Sequence, residues 1–277
     1  MGESQWKTET FDPLRGMAAS PVAEDILIEG ARIWDGRSET VMEGPAVLVS
    51  DGRITGVVEG PLPDFRGRRI DGAGATLVPG FIDTHVHMMW DSGADMITQP
   101  AALMKRWMAE QEDYAEDGQA ITRRGQLRLK AGVTTMRILG DGLYSLSYRD
   151  DVAAWRSVGP RILTAGVHVN GPEGYVTGGV GAFLGEEERS RVAVELRSID
   201  EIDQKVGDLI DLGTDVVKIA STHGDLGFAD AAPDLPAEWI RAIVDLAHSR
   251  GLKVACHSYG DEGDWAAIEG GVDSIEH

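Results

Sequence analysis

The stretch TLVPGFIDTHVHM, residues 76–88, places His85 and His87 two positions apart in an apolar run. In a β-strand this spacing puts both imidazoles on one face, together with Asp83. Paired imidazole nitrogens suit zinc and similar borderline cations, so the stretch predicts half of a metal site at the end of a buried strand. The alternative is two incidental histidines in a half-buried strand.

Downstream of this strand, a helix, a glycine and a strand recur in order at Gly132, Gly213, Gly251 and Gly271. Such alternation is typical of a parallel sheet with right-handed crossovers, and the commonest large form is a TIM-type (β/α)8 barrel. Residues 76–277 supply about six barrel strands, whereas a closed barrel needs eight. The sequence therefore predicts an α/β fold with an incomplete barrel, truncated after its sixth strand.

Upstream, residues 22–75 alternate short β-rich runs with Gly-containing turns. Asp51-Gly52 between two such runs predicts a hairpin, because both positions of a tight turn tolerate positive φ. We expect a small antiparallel sheet of β-sandwich type there. Residues 1–21 mix charge, Pro and Gly without periodicity and are predicted to form an irregular lead-in.

Lys218 lies in the apolar run VVKIA. A parallel barrel strand is buried on both faces, so a lysine there is costly unless its charge is removed or paired. A neutral amine can add CO2 and form a carbamate, which is an anionic oxygen ligand able to bridge two cations. The alternatives are a lysine that reaches the strand end or one paired with a carboxylate such as Asp225.

Two further histidines end predicted strands one strand–helix repeat apart, His257 in KVACHS and His277 in VDSIEH. Together with the first pair and the lysine they put five candidate ligands at one rim. His168 and Tyr259 stand near the same strand ends and are secondary candidates for contact with substrate.

Composition narrows the classes of partner. The 277 residues carry a net charge of −20 with a single cysteine, Cys256. Such a negative surface disfavours binding to nucleic acid and to anionic membranes. No internal disulfide or cysteine-based zinc site can form, and the N-terminus lacks an apolar signal core. We expect a cytoplasmic protein that acts on a small molecule.

These segments resemble the amidohydrolase superfamily. TLVPGFIDTHVHM is similar to its first-strand signature, and WIRAIVDLAHSRGLKVACHSYG through GVDSIEH is similar to its imidazolonepropionase-like and prolidase-like branch. The resemblance covers about residues 22–277. It implies that His85 and His87 hold the more buried of two divalent metal ions, that His257 and His277 hold the more exposed one, and that carboxylated Lys218 bridges both. Imidazole donors favour zinc as the metal.

The resemblance also implies a reaction, the cleavage of C–N bonds in amides, dipeptide-like, N-acyl or cyclic amide substrates by a metal-bridging hydroxide. Deamination or ester hydrolysis by the same superfamily, and a non-catalytic or split-chain relative, are the alternatives. The family's catalytic aspartate follows an eighth strand, and no position here matches it. We therefore expect this chain alone to be inactive or unstable unless a second chain, or a homo-oligomer, completes the barrel.

Overall fold

A computed structural model describes residues 24–88, 119–179, 184–223 and 234–277, with single helical positions at 102, 105, 106 and 109. Two compact units are present, the first ending at Pro79 and including Ala153–Arg156, the second comprising Gly80–Val152 and Ser157–His277. The predicted lead-in, residues 1–21, lies outside the described residues, as does most of the polar stretch between 89 and 118.

The first unit contains two small sheets. A four-stranded sheet has the order β4-β3-β1-β5, and a two-stranded sheet pairs β2 with β6. The strands are β1 (Ile26–Glu29), β2 (Arg32–Ile33), β3 (Ala46–Ser50), β4 (Arg53–Val58), β5 (Arg68–Asp71) and β6 (Thr76–Leu77).

The predicted hairpin is confirmed. Strands β3 and β4 pair antiparallel, and Asp51 and Gly52 between them take φ values of 50° and 71°. The expectation of a purely antiparallel sheet is wrong, because β5 pairs parallel to β1 and β6 pairs parallel to β2. A parallel pair needs a crossover connection, and here intervening strands and loops carry the chain back to the starting end.

The second unit alternates strands and helices. Its strands are β7 (Phe81–Val86), β8 (Val133–Ile138), β9 (Arg161–Thr164), β10 (His168–Asn170), β11 (Ala193–Glu195), β12 (Val216–Ala220), β13 (Lys253–His257) and β14 (Ser274–Glu276). Its α-helices are α1 (Gln119–Lys130), α2 (Tyr144–Ala153), α3 (Glu186–Ser190), α4 (Ile202–Asp211), α5 (Ala237–Ser249) and α6 (Asp261–Gly270), with a π-helical turn at Tyr175–Gly179 and a 3-10 turn at Ile199–Glu201.

All strand pairs of this unit are parallel, in two sheets with the orders β7-β8-β9 and β11-β10-β12-β13-β14. The fold class α/β is thus confirmed, but the described strands do not close into a barrel. The segment 161–169 is divided into β9 and β10 at Gly166, whose φ of 67° turns the chain. Its first half pairs with β8 and its second half with β12. The short strand β11 was not predicted.

Amphipathic helices cover the five-stranded sheet. In α5 the side chains of Ile240, Ile243, Val244 and Ala247 are buried at i, i+3, i+4 and i+7, which forms one apolar stripe. They pack with apolar residues of α4, β10, β12 and β13 into one core. Every residue of β12 is buried, so Lys218 is held in a strand with no exposed position.

Among the described residues, none of the helices has the length and apolar character that crossing a membrane requires.

Candidate metal centre

Two of the predicted ligands, His85 and His87, come from the end of β7 and the residue that follows it. Their side chains are 19% and 24% exposed. The strand is irregular between Asp83 and Val86, where its pairing with β8 shifts register. The two rings lie edge to face with centroids 5.2 Å apart.

Each of these histidines is tied to a buried carboxylate through its Nδ1 atom. His85 Nδ1 donates to Glu276 Oε2 of β14 at 2.8 Å, and His87 Nδ1 donates to Asp141 Oδ1, just after β8, at 2.6 Å. Glu276 is 7% exposed and Asp141 is fully buried. A carboxylate that only accepts fixes the proton on Nδ1 and leaves Nε2 as the ligand atom, a common arrangement behind metal-binding histidines.

The Nε2 edges of the two rings face each other, with the Nε2 atoms of His85 and His87 3.3 Å apart. Two zinc–nitrogen bonds of about 2.0–2.1 Å at a tetrahedral angle would place their nitrogen atoms about 3.3 Å apart. The separation therefore fits a single tetrahedral cation shared by the two imidazoles.

Lys218 is fully buried, and among the described residues its Nζ atom has no hydrogen-bond partner. Burial lowers the pKa of Lys218 to about 8, an effect that the charge of Glu276 partly opposes. The alternative in which this lysine reaches solvent is wrong. Asp225, the partner in the other alternative, lies outside the described residues. An amine with a pKa this low has a substantial neutral fraction, which is the form that adds CO2.

His257 and His277 end β13 and follow β14. The His277 ring lies 4.8 Å from that of His85 and 4.7 Å from that of His257, so it links both pairs. The buried Nε2 atom of His257 has no partner among the described residues. Burial lowers the pKa of His257 to about 2 and that of His277 to about 4, and the neighbouring Lys218 and histidines add to both effects. Neutral imidazoles are the form that binds metals.

The secondary candidates lie in the same region. His168 on β10 is the register partner of Lys218 and is only 3% exposed. Its ring sits against Gly140, whose φ of 97° and close approach to the imidazole leave no room for a Cβ. Tyr259 lies edge to face with His257, with centroids 4.5 Å apart.

Tyr175 was missed by the sequence reasoning. Its ring stacks on His257 with centroids 3.9 Å apart and an angle of 28°. It belongs to the Gly-rich segment after β10, in which Tyr175–Gly179 form the π-helical turn. The available sequence signal was an aromatic residue among glycines.

Asp141 and Glu276 were also missed. Asp83, expected on the same strand face as His85 and His87, accepts from the backbone N–H of His85 at 3.4 Å and lies 3.6 Å from Arg128 of α1. Asp141 stands in a Gly-Asp-Gly sequence at a strand end, and Glu276 directly precedes a predicted ligand; these were the available signals.

The donor set becomes complete only with an added group. Within the described residues, no three or more His, Cys, Asp or Glu side chains are arranged ready to hold a metal ion. The amine of Lys218 lies close enough to His85, His257 and His277 for its charge to lower their pKa values. Conversion of this amine to a carbamate would add oxygen donors beside these histidines, so the residues present fit two cations together with that modification.

A cleft with a volume of about 620 Å3 lies elsewhere, lined by residues of α3, β11 and α4, among them Arg189, Glu195 and Lys205. None of the candidate ligands lines it. We place the functional site at the histidines, because buried polar atoms without partners gather there.

The chain matches a known protein family and known relatives. The sequence profile of the amidohydrolase family matches residues 76–277, which include all five candidate ligands. The chain belongs to the amidohydrolase family. An uncharacterized protein of Mycobacterium tuberculosis (strain H37Rv) is 25% identical over 206 residues, which is 74% of this chain and 45% of the relative. A protein of Mycobacterium bovis, also uncharacterized, matches over the same extent.

Solved structures of this family show the same fold. A Xaa-Pro dipeptidase with methionine bound in its active site is 28% identical, with a TM-score of 0.72 over 91% of this chain and 61% of that protein. Phenylurea hydrolase B is 24% identical with a TM-score of 0.75, over 91% of this chain and 59% of that protein. The chain thus spans less than half of its curated relatives and about three fifths of these structures.

Proposed function

We propose that this amidohydrolase-family chain carries the metal centre of a hydrolase that cleaves C–N bonds in small amide, dipeptide-like, N-acyl or cyclic amide substrates. The observation that carries the proposal is the gathering of four imidazoles and one buried amine from β7, β12, β13 and β14. A dipeptidase and a phenylurea hydrolase among the similar structures support C–N bonds as the target.

Two divalent cations, with zinc favoured by the imidazole donors, would be held in unequal sites. His85 and His87 would hold the first, His257 and His277 the second, and carbamylated Lys218 would lie between them. When bound, such cations lower the pKa of water to about 7 and polarise the carbonyl under attack.

The protein's own residues prepare this chemistry. Glu276 and Asp141 orient the first two imidazoles through their Nδ1 atoms. Burial keeps His257 and His277 neutral and lowers the pKa of Lys218 to about 8, so that its amine can react with CO2. Tyr175 and Tyr259 pack against His257 and limit the access of bulk water from that side.

Deamination and ester hydrolysis remain the alternatives within the family, because the same nucleophile attacks other electrophilic carbons. A panel of N-acyl amino acids, dipeptides, phenylureas, esters and amino-heterocycles separates these activities. We expect turnover of at least one compound with a C–N acyl bond and slower turnover of matched esters.

Metal content is the decisive experiment. The protein translated from the full reading frame, purified with zinc and bicarbonate, should contain about two equivalents of zinc per chain. A folded protein that binds no divalent cation would refute the proposal.

A matched pair of variants tests the bridging amine. Lys218→Ala should lose the second equivalent of zinc and the hydrolytic activity. Lys253→Ala, in a lysine whose side chain is 73% exposed and paired with Asp273, should keep both. Full activity in Lys218→Ala would show that no bridging group is needed.

A further inference from the structure

The two histidines at the end of β7 differ from the other site histidines in what holds them. Glu276 accepts the Nδ1 proton of His85 and also accepts from Arg137 Nη2 at 2.6 Å and Ser274 Oγ at 2.7 Å. The carboxylate is therefore anchored from three sides. Its position cannot adjust without breaking an ion pair.

Asp141 anchors His87 in a comparable way. One of its oxygens accepts from His87 Nδ1 at 2.6 Å, while the other accepts from the backbone N–H of Met88 and from the hydroxyl of Tyr144, the latter at 3.2 Å. Because Met88 directly follows His87, the carboxylate holds both the ring and the backbone beside it. Asp141 is fully buried, so no water competes for these contacts.

Both carboxylates act only as acceptors in these contacts, so each of the two imidazoles carries its proton on Nδ1. Both Nε2 atoms then present lone pairs, and these face each other across 3.3 Å. Two facing lone pairs repel unless a positive centre lies between them. The protein tolerates this arrangement because the rings are held from behind by buried carboxylates.

We propose that Asp141 and Glu276 are positioning residues that preform the His85–His87 half of the centre, so that the first cation binds there and the His257–His277 half fills second. The inference rests on the proposed metal centre and adds the order of filling and the residues that impose it. Among the described residues no carboxylate accepts a hydrogen bond from the ring of His257, and its buried Nε2 atom is also without a partner.

Nitrogen-15 NMR of the histidine side chains in zinc-free protein tests the tautomers directly. For His85 and His87 we expect a protonated Nδ1 and an unprotonated Nε2. On titration with zinc alone, the Nε2 signals of these two residues should shift within the first equivalent, before those of His257 and His277. Protonated Nε2 atoms, or earlier shifts at His257 and His277, would overturn the inference.

Asp141→Asn tests the positioning residue. The side-chain amide must then place its NH2 group against either the Nδ1–H of His87 or the N–H of Met88, so one contact becomes repulsive. We expect the first zinc equivalent to bind 10–100-fold more weakly, as for other residues that orient a metal ligand, and the His87 tautomer to become mixed. Glu276→Gln should have the same effect on His85.

Asp215→Asn is the matched control. Asp215 is a partly buried carboxylate of the same unit that accepts from Arg149 at 2.8 Å and from the N–H of Thr164 at 2.9 Å. We expect lower stability in this variant, with zinc affinity and tautomers unchanged. Equal zinc affinity in Asp141→Asn and wild type would refute the inference while leaving the proposed function intact. Absence of zinc binding in wild type would refute the proposed function, and the zinc-free NMR spectrum would still decide the role of Asp141.

Discussion

The two sides of the candidate metal centre differ in how their polar side chains are held. On the side of β7, β8 and β14, His85 and His87 are each bonded to a buried carboxylate. On the side of β10, β12 and β13, Lys218 Nζ, His168 Nδ1 and His257 Nε2 are buried, and none has a partner among the described residues.

The difference shows two ways to prepare a site for a bound group. Anchored polar side chains cost little and hold a fixed geometry. Buried polar atoms without partners each cost on the order of 1–3 kcal/mol, so they call for an explanation in function. The unpartnered side is therefore where removal of a polar group should stabilise the cation-free protein, and the anchored side is where removal should destabilise it.

Lys218→Met should have the largest effect on stability. The pKa of Lys218 is lowered by burial from 10.5 to about 8, so the folded state disfavours the charged amine. The buried Lys218 amine destabilises the folded state most below pH 8, and this destabilisation decreases as the pH rises from 8 to 10.5. A pKa shift of this size corresponds to about 3 kcal/mol in the free energy of unfolding. Urea unfolding of cation- and bicarbonate-free protein at pH 7 should show a gain of that order for the methionine variant.

The pH dependence provides a second check on Lys218→Met. Wild type should gain stability between pH 8 and 10.5, whereas the gain should be absent in the variant. Lys253→Met is the control, because its side chain is largely exposed and should give a change near zero. A loss of stability at pH 7 in Lys218→Met would show that the buried amine has a favourable partner.

Glu276→Gln should show the opposite sign. The variant keeps an acceptor for only one of the two donors, His85 or Arg137, and removes the charge that pairs with Arg137, which should cost about 1–3 kcal/mol at pH 7. Although burial raises the pKa of Glu276, hydrogen bonds from His85 and Ser274 and the charges of Lys218 and Arg137 lower it to about 2. The stabilisation is present above about pH 4.5 and is lost as the pH falls toward 2.

Chemical unfolding of Glu276→Gln from pH 7 to 2.5 should therefore converge on the wild-type curve at the acid end. Ser274→Ala removes one donor to the same carboxylate while keeping its charge, and we expect a smaller loss. A constant difference across this pH range would contradict the ion-pair account of the anchored side.

The smallest effect is expected for Asp234→Asn, beside the unpartnered side. Asp234 accepts from the N–H groups of Gly171 at 2.5 Å and Glu173 at 3.3 Å, after β10. Burial raises the pKa of Asp234 to about 6, with these hydrogen bonds opposing it. The charged form is thus disfavoured in the folded state, and stability falls as the pH rises from about 4 to above 6.

Asparagine mimics the protonated acid, so the variant should be more stable than wild type at pH 7.5, by about 0.5–1 kcal/mol after allowance for solvent screening. The difference should vanish near pH 4. Thermal or urea unfolding at the two pH values measures it. A variant that is less stable at pH 7.5 would mean that the two hydrogen bonds outweigh the cost of burying the charge.

Much of the alternating fold could be predicted because its signals are local. The apolar stripe of α5 and the hairpin at Asp51-Gly52 follow from spacing and turn chemistry within a few residues. The division of segment 161–169 into β9 and β10 at Gly166 could not be predicted, because it depends on which neighbouring strand each half pairs with. The parallel pairing of β5 with β1 is likewise a long-range choice.

The candidate site likewise contains residues that the sequence predicted and residues that it could not predict. The four histidine ligands stand at or just beyond strand ends and Lys218 lies in the middle of β12, and local sequence patterns reveal both kinds of position. The anchors are long-range contacts, with His87 and Asp141 54 positions apart and His85 and Glu276 191 positions apart. No periodicity spans such distances, and a carboxylate beside a turn has many ordinary roles.

We expect a cation to bind between the imidazoles of His85 and His87. Anomalous diffraction from crystals grown with zinc, recorded on both sides of the zinc absorption edge, measures this directly. A strong zinc peak is expected about 2.0–2.1 Å from both Nε2 atoms. A well-ordered crystal structure with zinc at other positions, and none between these two rings, would contradict it.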